Sequence, residues 1–129
     1  KATHLGRSVK KGDCFTGDLC FKGNPHYWIV LRDPDAKGRV AIVNCTTGCG
    51  FSKAQKIKQA ECPALQYDSE LAWGESLIVI AAGLDKAIAE KKFTACVPTV
   101  AGAADRILGE GLAKKLVPKE IAKFLQLGY

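Results

Sequence analysis

At 129 residues, 47% of them apolar and 25% charged, the chain has the size and composition of one ordinary globular domain with a core of its own. Its longest apolar stretch, residues 76–83 (SLIVIAAG), falls far short of the roughly 20 residues a membrane span needs. The polar, basic opening KATHLGRSVKKGD carries no secretory signal, so a cytoplasmic location is expected.

The formal net charge is +6. The cations gather in three places: Lys1, Arg7, Lys10 and Lys11; Lys53, Lys56 and Lys58; and Lys114, Lys115, Lys119 and Lys123. Such patches draw polyanions, nucleic acid above all, or simply keep a surface solvated. The six cysteines, at 14, 20, 45, 49, 62 and 96, are an even number. A domain this large and apolar needs no staples, however, and reduced thiols serving as small buried hydrophobes are expected.

Taken in order, residues 1–11 read as a loosely held arm. Gly12-Asp13 opens a short β run, 14–19, interrupted at Gly17. Lys22-Gly23-Asn24-Pro25 is a turn, and Pro25 presets an extended entry to the next strand. Residues 26–50, HYWIVLR-DPDAKG-RVAIVNCTTGCG, predict a central β-hairpin. Two apolar runs, 27–31 and 40–43, flank a turn of Asp33, Pro34, Asp35 and Gly38. Alternation puts Tyr27, Ile29 and Leu31 on one face and Trp28 and Val30 on the other, so the hairpin needs covering on both sides. Pairing Arg32 with Arg39 brings His26 opposite Cys45 at the open end, about 20 Å from the turn at about 3.3 Å per residue. Asp33 and Asp35 are turn formers.

Residues 51–65 leave a strand or a loop open, and 68–74 read as a loop anchored by Trp73. Residues 77–82 predict a buried strand. The composition then turns helical over 84–93. A second helix is expected from Pro98-Thr99 with a stripe of Ala104, Ile107, Leu108 and Leu112. A third starts at Pro118, with Ile121, Phe124 and Leu125 on its apolar face. The expected organisation is a single α+β domain, residues 1–129, with a β body at 12–82 and a helical tail at 84–126 packed on it.

The segments GD-CFTGDL, HYWIVLRDP and VAIVNCTT together resemble the opening of PemK/MazF-type toxin-like proteins, over residues 12–50. The resemblance implies a small SH3-like β-barrel, here with a longer helical tail. It also implies endoribonuclease activity on RNA, assembly as a homodimer, and an antitoxin-like protein partner. Thr46 matches the family's functional hydroxyl after the third strand. His26 stands where the toxins carry an arginine, replacing an always-charged fork with a ring that both takes and gives protons. His26 and Thr46 are therefore the candidate catalytic residues, and Thr47, Lys22, Lys53 and Lys56 the candidate nucleic-acid contacts. Cleavage without a metal needs one group to take a proton and another to give one. The sequence offers His26 alone, since His4 lies on the arm.

Two other functions stay open. His26 with Cys45, Cys49 and Cys62 has the ligand types of a zinc site, although Cys45-x3-Cys49 has no second pair to confirm it. Alternatively the mouth is structural and the protein is a non-catalytic binding module. No phosphate-binding GxxxxGK[ST] loop, GxGxxG, HExxH or GxSxG motif is present, and no cofactor is expected.

Overall fold

A computed structural model describes residues 7–19, 26–46 and 55–127. Its strands are β1 (Cys14–Gly17), β2 (His26–Val30), β3 (Arg39–Thr46), β4 (Gln55–Ile57), β5 (Ser69–Ile80) and β6 (Thr94–Cys96). The helices are α1 (Ala81–Ala89), α2 (Ala103–Ala113) and α3 (Lys119–Phe124). The strands form one antiparallel sheet in the order β4-β5-β3-β2-β1-β6. The α+β class holds. The sheet is open, with β4 and β6 as its edges among the described residues, where the family resemblance leads one to expect a closed SH3-like barrel.

The predicted hairpin is the centre of this sheet, and both its faces are buried. Ile29, Leu31, Ala41, Val43 and Cys45 join one core, and Trp28, Val30, Val40 and Ile42 join the other. α2 and α3 close the first core through Ile107, Leu108, Ile121 and Ala122. α1 closes the second through Ala81, Leu84 and Ile88, one stripe of its surface. Burying a side chain of this size stabilises the fold by about 1.5–3 kcal/mol, so neither layer can be removed cheaply. Among the described residues no helix is long and apolar enough to cross a membrane.

Several predicted boundaries move. Residues 68–74 are mostly strand: β5 begins at Ser69, pairs with β4 and β3 together, and carries Trp73 into the first core. Of the predicted buried strand 77–82, residues 77–80 are the far end of β5, with Ile78 and Ile80 exposed, and 81–82 open α1. α1 starts at Ala81, ahead of the expected 84, and inside it Asp85 accepts from the Ser8 hydroxyl and the Val9 backbone N–H at 2.9 Å each.

Those bonds also correct the loose arm over its described part, residues 7–11, residues 1–6 lying outside the described residues. Val9 is buried, and Arg7 holds the buried Asp13 carboxylate through two hydrogen bonds of 2.9 and 3.0 Å. The tail is not purely helical, since β6 returns to pair with β1. α2 starts at Ala103, not at Pro98-Thr99. The Thr99 backbone N–H and hydroxyl both donate to the Gly12 carbonyl, at 2.9 and 2.8 Å, which ties that segment to the start of β1.

Two glycines mark close approaches. A Cβ on Gly111 of α2 would stand 3.0 Å from Trp73 and from the Gln55 side-chain oxygen. Buried Gln55 accepts from Trp73 Nε1 and donates to the Ile107 carbonyl, at 2.8 Å each, so a polar clamp joins β4, β5 and α2 where the helix comes nearest. On the other face, the Phe93 ring stacks with Phe15 and covers Gly17, where a Cβ would meet the ring at 2.3 Å. Gly17→Ala is expected to cost about 1–3 kcal/mol by overpacking, read as a lower urea midpoint. Gly74→Ala, whose Cβ meets nothing within 4 Å, is expected to stay within about 0.5 kcal/mol of the parent.

Candidate functional site

The hairpin turn is built as its residues suggest. The Asp35 carboxylate accepts from the backbone N–H of Lys37 and Arg39, at 2.9 and 2.8 Å, and pairs with the Arg39 guanidinium. These bonds, led by the Arg39 backbone N–H, hold the Asp35 carboxyl below its usual pKa. Arg39 also lies over the Phe124 ring, 5.1 Å from its centroid, which ties the turn to α3.

Closing the turn at Asp35 and Arg39 moves the register by one residue from the pairing of Arg32 with Arg39. Tyr27 faces Cys45, Trp28 faces Asn44, Ile29 faces Val43 and Val30 faces Ile42. In a sheet a one-residue slip sends every side chain to the opposite face. Continuing the observed register sets His26 level with Thr46, while Cys45 projects with Tyr27 into the first core.

The shift separates the zinc candidates. His26 and Cys45 leave the sheet on opposite faces, Cys62 is packed in the first core, and Cys49 lies outside the described residues. Among the described residues no three His, Cys, Asp or Glu side chains are grouped to hold a metal ion. The four described cysteines, Cys14, Cys45, Cys62 and Cys96, are free thiols.

The same register assembles a polar row across the end of the sheet. Gly17 pairs with His26, His26 lies level with Thr46, Thr46 pairs with Glu70, and Glu70 pairs with Lys56. Directly opposed residues share a face, with Cβ atoms about 4.5–5.5 Å apart. His26 and Thr46 are half-buried, and Glu70 is buried and ion-paired with exposed Lys56. With strands about 4.8 Å apart, the backbones bearing His26 and Glu70 lie about 10 Å apart on either side of Thr46. Thr47, Lys22 and Lys53 lie outside the described residues, as does His4.

Glu70 and Asn44 are not among the predicted site residues. One pair further along β3 on the same face, buried Asn44 donates to Glu75 Oε1 at 2.6 Å. Its own Oδ1 is buried with no hydrogen-bond partner among the described residues. A lone asparagine inside the apolar run VAIVNC is the signal for it, because a polar side chain in a two-faced central strand needs a purpose. Glu70 gives no comparable signal, since the run SELAW reads as a loop.

On the opposite face of the same sheet end, Tyr27, Cys45, Leu65, Gln66, Tyr67 and Ser69 line a cleft of about 160 Å³. Tyr67 is 60% exposed, while burial and nearby thiols raise the Tyr27 hydroxyl above its ordinary pKa. Burial likewise pushes the Cys45 thiol up.

Compared with known protein families, curated proteins and solved structures, the chain matches none.

The register makes a direct expectation for solution NMR. The His26 ring protons should show cross-relaxation with the Thr46 γ-methyl and none with the Cys45 β-protons. The reverse pattern would place His26 beside Cys45.

Proposed function

We propose that the protein binds single-stranded RNA at the end of its sheet and cleaves it as a divergent PemK/MazF-type endoribonuclease, its sheet derived from that family's barrel. The observation that carries the proposal is the row His26, Thr46, Glu70. A second ionisable side chain lies on the histidine's face, two strands away, with a hydroxyl between them. Cleavage without a metal requires such a pair.

In the proposed reaction the Glu70 carboxylate takes the proton of the ribose 2′-hydroxyl. The 2′-oxygen then attacks the adjacent phosphorus, and the bond to the 5′-oxygen breaks. Protonated His26 gives its proton to that leaving oxygen, and the products are a 2′,3′-cyclic phosphate and a free 5′-hydroxyl. Thr46, between the two, hydrogen-bonds a phosphate oxygen. Lys56, ion-paired with Glu70, adds positive charge beside the phosphate.

The cleft on the other face supports the substrate class. Tyr27 and exposed Tyr67 offer ring faces to a base, and Gln66 and Ser69 offer polar groups to its edge. Thr47, Lys22 and Lys53 remain proposed phosphate contacts, and a homodimer and an antitoxin-like protein partner belong to the same proposal. Exposed Ile78 and Ile80 on β5 are an apolar surface that a second copy would cover.

The test is incubation with unstructured RNA and analysis of the termini. Intact protein is expected to leave 2′,3′-cyclic phosphates, and His26→Ala and Glu70→Gln each to lower the rate by about 10²–10⁴. Absence of both cleavage and salt-sensitive RNA binding would overturn the proposal. Independently, Tyr67→Ala is expected to weaken RNA binding by about 1–3 kcal/mol, measured by fluorescence anisotropy.

A further inference from the structure

Beneath β1 three thiols meet at a place the polar row does not use. Cys14 is buried on β1, and Cys96 is its register partner on β6. Opposed residues on antiparallel strands have Cα atoms about 4.5–5.5 Å apart, within the span a disulfide bridges. Cys62 is fully buried in the turn following β4, and its Sγ lies 3.9 Å from Cys14 Sγ. Cys14 is therefore flanked by two sulfurs from different parts of the chain, and of the three only Cys96 is partly exposed.

The surroundings divide the thiols by role. Contact with Cys62, then with Cys96, and burial push the Cys14 thiol up. The hydrogen bond shared with Cys14 lowers the pKa of Cys62, and backbone N–H groups of Leu65 and Ala64 add to it. Cys14, with the Thr16 backbone N–H, likewise lowers that of Cys96. A half-exposed thiol with stabilised thiolate beside a second thiol is the arrangement in which oxidation ends in a disulfide.

We propose that Cys96, Cys14 and Cys62 form an oxidant-reactive thiol relay, with a hydroperoxide as its substrate and a buried Cys14–Cys62 disulfide as its product. The Cys96 thiolate attacks the peroxide's outer oxygen. The S–O bond forms and the O–O bond breaks; sulfur is oxidised by two electrons, and the peroxide is reduced to an alcohol or water. The Cys14 sulfur then attacks the Cys96 sulfenic sulfur, forming the S–S bond while hydroxide leaves with the Cys14 proton as water. Cys62 next attacks Cys14, the Cys14–Cys96 bond breaks, and Cys96 regains a proton from Cys62. The oxidised pair is thus moved inward, and the outer thiol is free again. The relay is independent of the proposed action on RNA.

The experiment is titration of the fully reduced full chain with hydrogen peroxide. Thiols counted in denaturant should fall from six to four, two being consumed per disulfide, and non-reducing peptide mapping should place the bond at Cys14–Cys62. Cys96→Ser should slow this loss at least about tenfold, because the remaining thiols of the relay are buried. Cys62→Ala should instead accumulate Cys14–Cys96. A dimedone adduct formed early on the unaltered protein should lie on Cys96, a readout that needs no variant to fold. An adduct elsewhere, a disulfide outside these pairs, oxidation of Cys96 to sulfinic acid without a disulfide, or an unchanged rate in Cys96→Ser would each overturn the relay.

Discussion

The structure depends on one constraint: the two central strands are apolar on both faces, so the sheet cannot lie against solvent on either side. β2 and β3 place Ile29, Val43 and Leu31 in one core and Trp28, Ile42 and Val30 in the other, all essentially inaccessible to water. Everything after β5 answers that demand. α1 folds back at once over one face, while α2 and α3 travel further and cover the other. The arm preceding β1 is drawn into the same task through buried Val9 and through Asp13 and Asp85, each of which accepts bonds from it. The polar groups admitted to these layers are mostly satisfied, Gln55 by a bond at each end of its amide. Asn44 Oδ1 stands out against that background because burying an unpaired acceptor is costly.

Because both faces are occupied, strand parity decides which chemistry is possible at the sheet's end. Even-numbered His26 and Thr46 share a face with Glu70 and Lys56, and odd-numbered Tyr27 and Cys45 share the other with Gln55 and Leu71. The shift of one residue in the hairpin removes the histidine from the thiols and gives it a carboxylate two strands away. It also leaves the thiols to one another: Cys14, Cys62 and Cys96 come together on the first-core side, where no imidazole joins them among the described residues. One end of the sheet thus carries the polar row and the aromatic cleft back to back, and the thiols lie deeper, under β1.

The residue pattern alone suffices for the central hairpin, the alternation of its faces, the turn role of Asp35 and the helical character of the tail. Each follows from local periodicity or from side-chain-to-backbone bonding within a few residues. The helix of Ile107 and Leu108 and the start of α3 after Pro118 are legible for the same reason. Folding in three dimensions settles the rest: the register at the hairpin's mouth, the strand character of residues 69–74, the return of β6 to the edge of β1, and the company of each described cysteine. These depend on pairings between residues far apart in the chain. No local pattern records that Thr46 meets Glu70 or that Cys14 lies between Cys62 and Cys96. Hydrophobic alternation specifies which faces are buried. Which polar groups meet at the edge of those faces depends on a single residue of register, and the bonds that close the Asp35–Arg39 turn supply it.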